Sequence, residues 1–209
     1  MKSFLWILDE GKFLTSGEVR RLRSTLQKRK EKALQNNTKT AIRDWLVVNL
    51  ALFTGLRVME LSRLRHEDLR VENGNSSLIV RNGKNGKPRI VKFGQSCRKL
   101  VLEYLDWKIS IGELSGADDP LIVSSNTNKA MTTRGLQKIF ERSARRAGIK
   151  GHSIHHLRHT YASHLYKASK YNLRLVQKQL GHSSTKITEV YADVLMPDLN
   201  MAVSNLYND

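Results

Sequence analysis

The residues with the most chemical potential crowd into one stretch, His152-Ser153-Ile154-His155-His156-Leu157-Arg158-His159-Thr160. Five of the seven histidines fall between positions 152 and 164, so metal binding is the first chemistry to weigh. His155 and His159 are spaced i, i+4 on a helix. The glutamate of a His-Glu-x-x-His zinc motif is missing, however, and no acidic third ligand lies nearby, so no metal is expected. His152, His156, His159 and His164 read as polar residues around a helix start. His155 and Arg158 differ from these, because i, i+3 spacing puts an imidazole and a guanidinium on one helix face. Arginine offers phosphate oxygens a planar fork of donors, and histidine can bond the same group or move a proton near neutral pH.

Three further islands carry polar residues in tight contexts. Thr54-Gly55-Leu56-Arg57-Val58-Met59-Glu60-Leu61 places an arginine at a turn leading into a helix, with Glu60 one turn on. Gly83-Lys84-Asn85-Gly86-Lys87-Pro88-Arg89 is a basic, glycine-rich turn. Leu180-Gly181-His182-Ser183-Ser184 is followed by Thr188 and by Val190-Tyr191-Ala192-Asp193.

Positioning these islands requires a folded scaffold, and the sequence reads as mainly α with one small antiparallel sheet. Thr15-Ser16-Gly17-Glu18 has the spacing of a capping box and opens a basic helix through about Ala33. A second helix, Lys39 to Phe53, is apolar on nearly every side and belongs at the centre of the core. A short helix covers Val58–Leu64. Ser77–Val80 and Arg89–Phe93 read as strands joined by a turn in which Asn-Gly occurs twice, a hairpin signal. Helical patterns return over about 95–111, 133–147, 155–168, 173–180 and 185–195, and Leu121-Ile122-Val123 reads as one more short strand.

Composition narrows the partner. Lys plus Arg number 36 against 19 Asp plus Glu, a formal net charge of +17, and a surplus of that size in a folded chain attracts polyanions. The basic residues are spread over many segments and not gathered on one amphipathic helix, which favours nucleic acid over a membrane surface. Hydrophobic residues make up 40% of the 209, enough for a core, so a disordered basic tail is excluded. No apolar run reaches the roughly 18 residues of a membrane span. The single cysteine, Cys97, allows neither an internal disulfide nor a cysteine-based zinc cluster, and suits a reducing cytosol.

Taken in order, the islands resemble the catalytic domain of the tyrosine recombinases, the phage integrase family. The match is T-G-L-R-x-x-E-L, then a hairpin G-K-x-x-K-x-R, then H-x-x-R-H, then L-G-H, and a tyrosine nine residues after that histidine. The resemblance covers about residues 13–196 and implies the DNA-breaking-rejoining fold of that family. It makes Tyr191 the nucleophile, Arg57 and Arg158 the phosphate clamp, His155 and His182 the two site histidines, and Glu60 a brace. Lys84 matches the mobile hairpin lysine that protonates the leaving 5′-oxygen, with Lys87 as its rival. Arg134, Lys138 and Lys87 are candidate DNA contacts.

The residue types suit the reaction so implied. A phosphodiester is already anionic and its alkoxide leaves poorly, and two guanidiniums neutralise the charge that builds in the transition state. Such a site needs no metal, no other cofactor and no ATP. A tyrosine ordinarily loses its proton only near pH ~10, so His155 is the candidate base or orienter. The phosphotyrosine conserves bond energy, so another strand's 5′-hydroxyl can reseal the break.

The expected activity is therefore site-specific recombination or integration through a 3′-phosphotyrosyl intermediate, with type IB topoisomerase-like chemistry. The alternative is a non-catalytic DNA-binding regulator, since Leu173–Val190 also fits a helix-turn-helix pattern. Expected partners are double-stranded DNA and further copies of the chain, tetrameric on paired sites and monomeric when free, in the cytoplasm at the nucleoid. The expected layout is an N-terminal extension (1–12), the catalytic domain (13–196) and a tail (197–209) packing on a neighbouring protomer. Most relatives carry a helical core-binding domain ahead of the catalytic one. Its absence here reads as a short recombinase or as a fragment.

Overall fold

The structure is a computed structural model that describes residues 10–83, 86–113 and 116–181. Seven α-helices and three strands follow in the order α1 (Ser16–Gln35), α2 (Lys39–Thr54), α3 (Val58–Ser62), β1 (Leu69–Arg70), β2 (Ser77–Val80), β3 (Arg89–Lys92), α4 (Gln95–Ser110), α5 (Thr133–Arg146), α6 (Ile154–Ala168) and α7 (Leu173–Leu180) among the described residues. The expected helix at 185–195 lies outside them, as does the tail.

Local chemistry explains where the helices start. Thr15 Oγ1 accepts from the Glu18 amide at 3.2 Å, and the Glu18 carboxylate accepts from the Thr15 amide at 2.8 Å, so two otherwise orphaned donors are satisfied reciprocally. From there α1 buries Leu22, Leu26, Lys30 and Ala33, one stripe at helical spacing. Lys30 is covered by the Trp45 ring, 4.4 Å from its centroid, and paired with Glu103.

Helix α2 is the core element. It packs against α1, α4, α5 and α6, so every face from Ala41 to Leu52 is buried, the charged Arg43 and Asp44 included. Those two are neutralised within the fold, Arg43 by Glu113 and Asp44 by Arg142. The helix ends at Gly55, whose φ of 62° is the left-handed conformation that stops a helix. A side chain there would also run into the Tyr161 ring and lie 2.9 Å from Leu180 Cδ2.

The sheet is antiparallel in the order β1-β2-β3, with Leu78 opposite Val91 and Val80 opposite Arg89. Alternation buries Leu78, Val80 and Val91, and leaves Ile90 outside at 61% exposure. The free edge of β3 is covered by α7. Gln179 Oε1 accepts from the Lys92 amide at 3.3 Å, and its amide donates to the Tyr161 hydroxyl at 2.9 Å. A second, smaller core of Ala162, Tyr166, Val176 and Leu180 joins α6 to α7.

Two expectations are corrected. Leu121–Val123 is not a strand: it has only isolated bridges, Pro120 beside it with Arg65 and Val123 within it with Ala130. Its three side chains are buried, and burial alone produced the apolar run. The sheet also has a third strand, β1, whose two residues are too few for a period-two pattern.

Candidate active site

The turn after α2 delivers Arg57 to the start of α3. There the Glu60 carboxylate reaches back one turn, accepting from the Arg57 amide at 2.8 Å and from Arg57 Nη1 at 2.9 Å. Glu60 is buried and gathers more cations. Arg89, from β3, donates through Nη1 and Nη2 to its two oxygens, each at 2.8 Å. Arg158 Nη1, from α6, lies 3.9 Å from Oε2. Burial by itself would raise the Glu60 pKa, but the Arg89 hydrogen bonds, the Arg57 amide and the charges of Arg89 and Arg158 outweigh it and hold it at about 2.

Arg158 is buried, and its fork grips backbone. Nη1 donates to the Gly55 carbonyl at 2.6 Å and Nη2 to the Leu180 carbonyl at 2.9 Å. These are terminal carbonyls of α2 and α7, where a cation is favoured by the helix dipole and by acceptors the helix leaves open. One guanidinium thus ties two helix ends together next to Glu60. His155 precedes Arg158 by three residues on α6 and is exposed.

The other histidines of the cluster do local work. His156 Nδ1 accepts from the Ser153 amide at 3.1 Å, closing the first turn of α6, and lies 3.1 Å from His152 Nδ1. His159 is pushed down to about 4, first by burial and then by electrostatic repulsion from His156 and Arg158. Among the described residues no group of three His, Cys, Asp or Glu is arranged to hold a metal ion.

On the hairpin, the Gly83 amide donates to the Lys87 carbonyl at 3.2 Å, and a Cβ on Gly83 would sit 2.6 Å from that oxygen, so the turn needs glycine there. Lys87 is exposed. Arg134 and Lys138 are exposed on one face of α5, which packs on α3. Lys84, His182 and Tyr191 lie outside the described residues.

A cleft of about 630 Å³ is lined by Glu60 together with Arg63, Arg65, Arg81 and Lys129. Arg65 is paired with Asp118 and Arg81 with Asp68 and Glu67, and the same lining carries Glu60, Asp68, Asp118 and Asp119, so the cleft offers little net attraction for an anion.

The sequence reading assigned no role to Arg89. The signal was present: in Arg89-Ile90-Val91-Lys92-Phe93, alternation sets Arg89 on the face of the apolar Val91, a charge pointed at the core.

The chain belongs to the phage integrase family, whose model matches residues 12–197. It is 34% identical to the tyrosine recombinase XerA of Pyrococcus furiosus over 195 residues, covering 92% of this chain and 60% of that protein. A crystal structure of the XerH site-specific recombinase bound to palindromic difH substrate, in a post-cleavage complex, matches with a TM-score of 0.73 at 26% identity, over 94% of this chain and 53% of that one. The catalytic domain of bacteriophage HP1 integrase, at 24% identity, shares the fold with a TM-score of 0.60, over 94% of this chain and 96% of that one. The fold is that of a tyrosine recombinase catalytic domain, and the chain spans about 60% of the length of the Pyrococcus furiosus relative.

Proposed function

We propose that this chain breaks and rejoins DNA strands at specific sites through a 3′-phosphotyrosyl intermediate. The observation that carries this is the meeting of Arg57 and Arg158, 101 residues apart in sequence, around the single carboxylate of Glu60. One carboxylate among several guanidiniums leaves a local surplus of positive charge, which suits a bound anion.

In the proposed cleavage step the Tyr191 phenol oxygen bonds to phosphorus as the bond to the 5′-oxygen breaks. The phenolic proton passes to His155 or to water, and Lys84, or Lys87 in its place, supplies a proton to the departing 5′-oxygen. Arg57, Arg158 and His182 stabilise the non-bridging oxygens. Rejoining is the reverse step with a 5′-hydroxyl from another strand, so neither ATP nor a metal enters the balance. Double-stranded DNA is the proposed substrate, bound in part by Lys87, Arg134 and Lys138, with four copies assembling on paired sites and monomers in free solution.

The experiment is a trapping assay on nicked duplexes, where the short 5′-hydroxyl strand diffuses away and leaves protein covalently on DNA. A denaturation-resistant band is expected from the native chain and none from Tyr191→Phe, with binding retained. An undiminished band in that variant would overturn the assignment of the nucleophile. Tight, salt-sensitive binding with no band on any duplex would favour a DNA-binding regulator.

A further inference from the structure

We propose that Arg89 is the positioning residue of the strand-cleavage site: by filling Glu60 with both prongs of its guanidinium, it limits Glu60's hold on Arg57 and leaves Arg57 free to grip phosphate. This rests on the recombinase reading above and deepens it.

The argument begins with strand geometry. Alternation along β3 turns Ile90 and Lys92 outward and Arg89 and Val91 inward. An arginine facing the core must find a partner, because an unpaired buried charge is strongly unfavourable. Arg89, with 11% of its side chain exposed, finds Glu60 and makes the fork-to-fork pair that guanidinium and carboxylate geometry favours.

The acceptor count then matters. A carboxylate accepts roughly four hydrogen bonds. Glu60 receives two from Arg89, one from the Arg57 amide and one from Arg57 Nη1, and its capacity is full. Arg57 therefore holds Glu60 by one prong only, and its side chain stays 32% exposed, the most open of the three guanidiniums. Without Arg89, two acceptor positions open beside Arg57 and beside Arg158 Nη1, 3.9 Å away. A bare buried carboxylate would draw both arginines inward, off the substrate.

Arg89 also sits between the chain segments that lead to the other assigned residues. A Cβ on Gly83, which precedes Lys84, would lie 3.3 Å from Arg89 Nη1. A Cβ on Gly181, which precedes His182, would lie 2.6 Å from Arg89 Cδ and 2.9 Å from Nε. Both neighbours are glycines, and the Gly181 φ of 66° suits glycine in its own right. One side chain thus touches the stretches that carry the hairpin lysine, the first arginine and the second histidine.

The test uses the full chain with Arg89→Lys, which keeps the charge but can engage only one carboxylate oxygen, and with the double variant Arg89→Lys, Glu60→Gln. Three quantities are read: duplex affinity, the single-turnover rate of covalent adduct formation at saturating DNA, and the side-chain NMR signals of ¹⁵N-arginine. Arg89→Lys is expected to slow adduct formation about 30-fold or more with affinity within about 3-fold. The Arg57 Nη signals should split as rotation of its guanidinium slows in a two-pronged grip on Glu60. The double variant, lacking the carboxylate charge, should regain about 10-fold in rate. An adduct rate for Arg89→Lys within about 3-fold of the native chain, a double variant no faster than the single one, or Arg57 signals unchanged, would overturn the proposal. If the native chain itself forms no adduct, the recombinase reading fails, and the Arg57 signals still decide whether Arg89 sets its grip.

Discussion

Replacing Arg158 tests whether the same guanidinium assigned to the phosphate clamp also holds the scaffold together. It donates to the Gly55 and Leu180 carbonyls at 2.6 and 2.9 Å, and only 9% of the residue is exposed. Arg158→Met preserves length and volume but leaves both carbonyls without that donor. Hydrogen bonds from a charged group contribute about 1.5–3 kcal/mol each, so the pair sets a scale of about 3–6 kcal/mol. Relief from burying a guanidinium offsets part of this, which brings the expected loss to about 3–4 kcal/mol. In a chain of this size 1 kcal/mol moves the melting temperature by about 2–4 °C, so a fall of about 6–16 °C is expected. Arg158→Lys, whose ammonium can reach one carbonyl well, should lose roughly half as much. Circular dichroism at the helical band follows the melt, and urea unfolding supplies the free energy. A melting temperature for Arg158→Met within about 2 °C of the native value would refute the claim that this fork secures the ends of α2 and α7.

The histidine cluster should make the fold acid-sensitive. His159 is held at about 4 in the fold against an ordinary 6.5, so the unfolded chain takes up the proton first, and stability present above pH 6.5 is lost as pH falls towards 4. His159 alone should account for roughly 2 kcal/mol of loss by pH 5, read by urea unfolding, and His159→Gln should remove that share while the lowered His66, His156 and His164 keep the remaining slope. Glu60 contributes separately and lower down, between its ordinary value of 4.5 and its folded value of about 2, so Glu60→Gln should leave the slope between pH 6.5 and 5 unchanged. Gly55→Ala should lower stability by about 2–4 kcal/mol in the same assay, because the left-handed φ of 62° disfavours a side chain and the added carbon meets Tyr161 and Leu180. A duplex-binding series in rising salt should give a log–log slope that flattens by about 1 for each of Arg134→Ala and Lys138→Ala, and an unchanged slope would remove that residue from the phosphate contacts.

Much of the scaffold was legible because its signals are local. The Thr15–Glu18 capping box marks the start of α1, and the apolar residues on nearly every side from Ile42 to Phe53, interrupted only by Arg43, Asp44 and Asn49, mark a helix with neighbours on every side. Strand β1 was missed because Leu69-Arg70 owes its pairing to β2 and carries no pattern of its own. The apolar Leu121-Ile122-Val123 misled for the opposite reason, since it is buried without being paired along its length. At the site, Arg57 and Glu60 are three residues apart, and their contact follows from helix spacing. Arg89 comes from 29 residues further on, and its bond to Glu60 depends on how the sheet docks against α3. No local rule reaches that distance. The carbonyl partners of Arg158 were equally hidden, because backbone acceptors leave no mark on residue type.

The three guanidiniums also show how a cationic site can be assembled before any anion arrives. Two unit charges about 5 Å apart repel by roughly 3 kcal/mol at an effective dielectric near 20, a large fraction of the stability of an ordinary domain. Glu60 offsets this, and the surrounding arginines in turn keep it ionised down to about pH 2. A carboxylate that neutralised all three equally would defeat an anion-binding site. The structure divides the task unequally among the described residues: Arg89 is committed to Glu60 by two bonds, Arg158 donates to two helix-end carbonyls, and Arg57 makes one side-chain bond to Glu60 and is the most exposed of the three. The positive field is therefore built by residues fixed in the fold, while the guanidinium with the least to give up faces solvent. Such preorganisation is what electrostatic stabilisation of a phosphoryl transition state requires, since donors already in place need no reorganisation when charge develops.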